Sequence, residues 1–324
     1  MTDISNLGND NDPENVVTVA STKPHQQTGK PGKKTKQKPN RSRTKRFTIA
    51  LLRIVVLGYI TLLVGLAVME TRLIYPGAFF KDQPDREGGG DPGIESVEYP
   101  TTEGGKLRGR LLERQGAQHI VLFFHGNGVK AKWMDRWLTH LSQEFNATVM
   151  VAEYRGFDDD ITPTEKRLQA DSLAARDFLC QRYEKEPKDL ILYGQSLGGG
   201  CAVAVASLGG AKALILERTF DRMVNVAASK FWFVPVSMLM KNRFDSEPKL
   251  TAYHGPLVVT HGTTDQLIPI EHAKKLYAAS PSTEKHWIEV DGMGHNDPLP
   301  RTTLQEMISK VNQSIEAVDL FGDN

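Results

Sequence analysis

Cysteine is nearly absent from this chain, with only Cys180 and Cys201 among 324 residues. Two thiols are too few for a disulfide framework or a cysteine-built zinc site. Both lie in apolar helical contexts, where a buried thiol is the expected state. Net charge is nearly absent too, at +1. That balance conceals an asymmetry, because Lys30, Lys33, Lys34, Lys36, Lys38, Arg41, Arg43, Lys45 and Arg46 crowd one stretch and leave the remainder mildly acidic. A nucleic-acid partner would need basic residues on the folded part as well, so none is expected. The dinucleotide-binding fingerprint is also missing, since Ser196 stands where G-x-G-x-x-G requires a glycine.

Residues 1–46 have few large apolar side chains. They cannot bury enough surface to offset the entropy of ordering, so a disordered basic tail is expected. From Phe47 to Met69 the chain turns apolar on every face, about the twenty residues that cross a bilayer as helix. Its one charge, Arg53, sits near the basic end, where it can snorkel to the headgroups. A cleaved signal peptide fits less well. Its positive region would be unusually long, and Leu66-Ala67-Val68-Met69-Glu70 offers no small-x-small site. The expectation is a single-pass membrane helix at 47–69 in contact with lipid. The cationic cluster places the tail in the cytoplasm and the C-terminal domain on the far side. Residues 70–93 read as a juxtamembrane linker, polar and Gly/Pro-rich from Asp82 to Gly93.

From residue 94 to 324 short apolar runs alternate with helical stretches. Strands are expected at Ile94–Pro100, Leu107–Glu113, Ile120–Phe124, Ala147–Ala152, Leu190–Tyr193, Ala213–Leu216, Leu257–Thr260 and Trp287–Val290, the first two as a hairpin across Glu103-Gly104-Gly105. Helices are expected at Lys132–Glu144, Pro163–Tyr183, Gly200–Leu208, Glu271–Ala279 and Thr302–Val318. This alternation implies an α/β domain with a mainly parallel sheet covered on both faces and a site at the C-terminal strand edge.

The chemistry-bearing residues follow strands, at that edge. Leu190-Ile191-Leu192-Tyr193-Gly194-Gln195-Ser196-Leu197-Gly198 runs from an apolar strand through one serine into small residues. In a nucleophile elbow the turn is so sharp that only small neighbours two residues either side fit, hence Gly194 and Gly198. A helix starting at Leu197 would aim unpaired N–H groups at a developing oxyanion. Alone, such a Gly/Ser cluster can be no more than a tight turn. Its partners decide between the readings.

After Phe124, His125-Gly126-Asn127-Gly128 could supply a second oxyanion donor, the Asn127 N–H beside that of Leu197. After Thr260 comes His261-Gly262-Thr263-Thr264-Asp265. Asp265 suits an Asx cap, and it also fits the Ser…Asp…His chain order that accompanies an elbow serine. Glu217 and Asp291 are its rivals. His295 lies in Asp291-Gly292-Met293-Gly294-His295, the Gly-rich loop between the last strand and the final helix. Ser196 as nucleophile, His295 as general base and Asp265 as its orienting acid would perform acyl transfer.

With these motifs in order, the chain resembles the α/β-hydrolase fold superfamily. Within it, the likeness is to single-pass membrane α/β-hydrolase-domain proteins near the serine aminopeptidases and prolyl oligopeptidases. The resemblance covers roughly 73–318. It rests on Leu73-Ile74-Tyr75-Pro76, Phe124-His125-Gly126-Asn127-Gly128, Glu153-Tyr154-Arg155-Gly156-Phe157, Gly194-Gln195-Ser196-Leu197-Gly198-Gly199, His261-Gly262-Thr263-Thr264-Asp265-Gln266-Leu267-Ile268-Pro269 and Gly294-His295. It implies an eight-stranded sheet, the triad above, and no metal or organic cofactor. The expected substrate is a small acyl or lipid-like ester, thioester or amide, or an acylated protein or peptide. A non-catalytic scaffold on the same fold is the alternative.

The chain departs from that family where Tyr-Arg-Gly-Tyr-Gly is usual and it has Tyr154-Arg155-Gly156-Phe157-Asp158-Asp159-Asp160. The three acids form either a solvated loop or a cation-facing rim. Between the sixth and seventh strands, a short cap at about 218–255 carries Phe231-Trp232-Phe233-Val234-Pro235-Val236-Ser237-Met238-Leu239-Met240. That run either packs the cap onto the domain or forms an acyl pocket facing the bilayer.

Overall fold

The structure, a computed structural model, describes Ala20, residues 41–80, Gln83 and residues 86–321. The tail expected at 1–46 lies outside the described residues except for Ala20 and 41–46. The chain divides into two units, Met1–Ile54 and Val55–Asn324. Helix α1, Arg41–Ile74, takes in the apolar run and extends beyond it at both ends. Among the described residues it is the one helix long and apolar enough to cross a membrane.

Pro76 ends α1. The residue before a proline is pushed out of the α region, and Tyr75 accordingly sits at φ −120°, ψ 56°. The following turn, Pro76–Phe79, is docked where the sequence suggests a linker. Tyr75 is fully buried, and its hydroxyl donates to Asn242 Oδ1 at 2.9 Å. Gly77 N–H donates to Asn127 O at 2.8 Å.

The sheet has eight strands in the order β1-β2-β4-β3-β5-β6-β7-β8. They are β1 Glu95–Pro100, β2 Lys106–Leu112, β3 His119–Phe124, β4 Ala147–Ala152, β5 Leu190–Gln195, β6 Ala213–Glu217, β7 Leu257–Gly262 and β8 Lys285–Val290. β1 and β2 form the expected hairpin, β2 joins β4 antiparallel, and every later pairing is parallel. The burial patterns follow position. Edge strand β1 alternates exposed Glu98 with buried Val97 and Tyr99, whereas every residue of β4, β6 and β7 is buried. A parallel strand covered on both faces reads as one continuous apolar run.

Helices α2 Asp135–Phe145, α3 Glu165–Tyr183, α4 Leu197–Ala206, α8 Ile270–Ala279 and α9 Arg301–Phe321 cover the faces. Leu304, Met307, Ile308, Val311 and Ile315 recur at helical spacing and bury one side of α9 against Val121, Val258 and Ile288. The opposite face packs α3 and α4 onto Leu122, Leu192 and Leu214. Thr164 caps α3 by accepting the Arg167 N–H at 3.3 Å. Between β6 and β7 lie three short helices, α5 Met223–Lys230, α6 Val236–Leu239 and α7 Ser246–Leu250. Val224 of α5, Val236 of α6 and Val234 between them pack with Leu63 and Leu66 of α1.

Candidate active site

β5 delivers Ser196 at its C-terminal end, and α4 starts one residue later, three residues earlier than the run from Gly200 suggests. Ser196 has φ 52°, ψ −117°. A non-glycine residue there is strained, and strain of this kind persists only when neighbours over-determine it. Here Ser196 N–H donates to Glu217 O at 2.9 Å, and Ser196 O accepts from Thr219 Oγ1 at 2.8 Å. The flanking glycines are required by contact. A Cβ on Gly198 would lie 2.0 Å from Phe124 O, and one on Gly194 would lie 2.5 Å from Gly198 O.

Ser196 Oγ is 2.9 Å from His295 Nε2, and His295 Nδ1 is 2.7 Å from Asp265 Oδ2. A carboxylate only accepts, so Nδ1–H is the donor and Nε2 is left to accept the serine proton. Three loops separated by long stretches of chain thus converge. Asp265 uses its two carboxylate oxygens separately. Oδ1 caps the following turn by accepting Leu267 N–H at 2.9 Å and Ile268 N–H at 2.8 Å, while Oδ2 faces His295. The rival acids are engaged elsewhere. Asp291 Oδ1 accepts from Thr263 Oγ1 at 3.0 Å, and Glu217 accepts Tyr193 OH at 2.5 Å and Gln195 Nε2 at 3.0 Å.

Burial alone would raise the Asp265 carboxyl. Hydrogen bonds from His261 and His295, with the Ile268 N–H, outweigh it and hold the group well below the usual carboxylate range. His261 is fully buried, and its Nε2 lies 2.8 Å from Ile268 O and 3.3 Å from Asp265 Oδ2.

Asn127 and Leu197 flank the serine. Asn127 lines the cleft and is held through Nδ2 donating to Ile74 O at 3.0 Å and O accepting from Gly77, bonds that leave its N–H uninvolved. Gly126 brings this turn to the serine, a Cβ there standing 3.5 Å from Ser196 Cβ. Leu197 opens α4, so its N–H has no partner one turn back within the helix. His125 is structural, buried between Gly126 O at 2.8 Å and Glu153 Oε1 at 3.1 Å.

The cleft, about 1120 Å³ of space open to solvent, is lined by Asn127, Trp137, Ser196, Arg218, His295 and Leu299 among others. Arg218 was not legible as a site residue. Its Nη1 donates to Asp297 O at 2.6 Å and Gly294 O at 3.3 Å, and Nη2 donates to Glu217. The arginine therefore ties the end of β6 to the loop carrying His295. Its place directly after a strand at the C-terminal edge was the one available signal.

The three acids do not border the cleft. Asp158 pairs with Lys132 at 3.0 Å, and Asp159 Oδ1 accepts Gly156 and Ile161 N–H within its own loop. The apolar run of the cap contributes no residue to the cleft lining either. Cys201 is fully buried, its thiol pushed up to about 12 by burial, and Cys180 is half-buried. Among the described residues, no group of three or more His, Cys, Asp or Glu side chains is disposed to hold a metal ion.

No family model matches the chain. Over 195 residues it is 30% identical to "Putative alpha/beta hydrolase L404" of Acanthamoeba polyphaga mimivirus, covering 59% of this chain and 72% of that one. It is 32% identical over 204 residues to the α/β-hydrolase domain-containing protein 17C of Xenopus tropicalis, covering 60% and 63%. Its fold is similar to that of an acetyl xylan esterase from Paenibacillus sp. R4, with TM-score 0.57 and 19% identity over 72% of this chain and 87% of the other. With the strand order, the elbow and these relatives together, the chain belongs to the α/β-hydrolase family.

Proposed function

We infer that the protein is a membrane-anchored serine hydrolase that cleaves an acyl ester, thioester or amide through an acyl-enzyme. The observation carrying this reading is the unbroken hydrogen-bond chain from Ser196 through His295 to Asp265, at 2.9 and 2.7 Å. In the first step Ser196 Oγ attacks the acyl carbon while His295 Nε2 takes its proton. The carbonyl oxygen becomes an oxyanion held by the Asn127 and Leu197 N–H groups, each such donor being worth on the order of 10²–10³ in rate. His295 then gives the proton to the leaving alcohol, thiol or amine as the bond to the acyl carbon breaks. In the second half water repeats the sequence and frees the acid. Asp265 stays ionised throughout and stabilises the imidazolium in the required tautomer.

Anchoring through α1 is supported by its length, its apolar character and its exposure. A fluorophosphonate probe tests the enzyme reading. It should label the wild type at Ser196 and leave Ser196→Ala unlabelled. Absence of labelling in a folded wild type supports the scaffold reading instead.

A further inference from the structure

We propose that the cap segment Phe231–Met240 is embedded in the hydrocarbon of the bilayer, in the leaflet adjoining the hydrolase domain and alongside α1. The proposal rests on the membrane-anchored reading above and adds a second membrane-embedded element to it.

Depth follows from the helix. The uncharged stretch 54–69 of the apolar run is bounded by Arg53 on one side and Glu70 on the other. Any placement of about twenty residues in the hydrocarbon that keeps Glu70 at the headgroups and lets Arg53 snorkel includes Tyr59. Tyr59 is eleven residues before Glu70 in α1, so at 1.5 Å per residue it lies roughly 16 Å deeper. Its hydroxyl donates to Phe233 O at 2.7 Å. Side chains on a helix lean towards its N-terminus, which here is away from the domain, so the tyrosine's reach deepens the contact. The carbonyl of a cap residue is thus held near the level of the bilayer's middle.

The segment is built for that surrounding. Trp232 is 85% exposed, Met238 84% and Phe233 45%, a patch that no apolar side chain among the described residues covers. On its inner side Val234 and Val236 pack against Leu63 and Leu66 of α1. A polar backbone in hydrocarbon must be satisfied from within. Phe231, Val234, Val236, Met238 and Met240 donate their N–H groups to Ala227 O, Phe231 O, Val234 O, Pro235 O and Val236 O, and Pro235 has none to donate, so six of the segment's ten residues leave no free N–H. The segment is bracketed by Lys230 and Lys241, and the Lys241 N–H donates to Glu70 Oε1 at 2.8 Å. The chain therefore leaves the patch at the level of the first charge beyond the span. Cations at both exits and an aromatic and a methionine between them suit headgroups outside and acyl chains inside.

Spin labels report this in the full-length protein in phosphatidylcholine nanodiscs, in a Cys180→Ser background that keeps the buried Cys201. Labels at Trp232→Cys and Met238→Cys should be reached by oxygen and protected from a water-soluble nickel complex, as a label at Ile60→Cys on α1 is. A label at the exposed Leu208→Cys should show the reverse. Water-exposed labels at 232 and 238 with a lipid-exposed label at 60 would overturn the embedding and leave the anchor intact. A water-exposed label at 60 would overturn the anchor itself and the embedding with it. Native fluorescence supplies a second readout free of labels. Dibrominated phosphatidylcholine should quench a component of wild-type tryptophan emission that is lost in Trp232→Phe, and identical quenching in both proteins counts against the proposal.

Discussion

At the scale of single residues, the site depends on groups that hold the reacting ones. Ser196 is kept at a strained φ by Glu217 and Thr219, and Asp265 is held by Leu267, Ile268 and His261. Asp265→Asn preserves shape but offers the imidazole the wrong partner, and should lower kcat by about 10⁴-fold with little change in fold. The same carboxyl makes stability depend on pH. Its folded-state pKa is depressed below the unfolded value near 3.9. Its contribution is therefore fully present above about pH 4 and is lost as pH falls through the folded value. Urea melts of the wild type and Asp265→Asn should differ most at neutral pH and converge under strong acid. Ser196, His295 and Asp265, which the fold brings into one hydrogen-bonded chain, stood out as candidates because each follows a strand within a marked turn. Arg218 was not, because its bonds run to backbone carbonyls of residues nearly eighty positions away.

At the scale of elements, the C-terminal ends of β3 and β5 and the start of α4 form one tightly packed junction. Gly198→Ala would drive a methyl into Phe124 O, an atom of strand backbone that has no room to retreat. The expected loss is about 1–3 kcal/mol in denaturant melts, together with loss of probe labelling as the elbow shifts. Gly128→Ala meets nothing within 4 Å and should change stability by less than about 0.5 kcal/mol. Strands were the most readable elements, since apolar runs bounded by turn residues mark them directly. The start of α4 was less so, because Leu197-Gly198-Gly199-Gly200 has poor helix propensity and is helical through its packing against Thr219 and Phe244. The cap's apolar run admitted two readings in sequence, and its packing onto α1 in place of the cleft appears only once both elements are in position.

At the scale of the whole molecule, charge sets the orientation expected of the proposed anchor. The cluster from Lys30 to Arg46 precedes the apolar run, and charges after it are sparse. The side bearing more Lys and Arg stays cytoplasmic. A protease added to intact cells or spheroplasts should therefore digest the hydrolase domain and spare an epitope fused ahead of residue 41. The opposite pattern reverses the topology.

Local pattern was enough to determine the fold class and to single out the apolar helix and the three residues of the hydrogen-bonded chain as candidates, because apolar period, glycine placement and strand ends are properties of neighbours in sequence. Tertiary structure alone decided which acid faces His295, that Arg218 braces its loop, that the three aspartates lie outside the cleft lining, and where the cap lies. Each of these is a contact between residues distant along the chain. Its energy exists only after the sheet has brought the partners within reach.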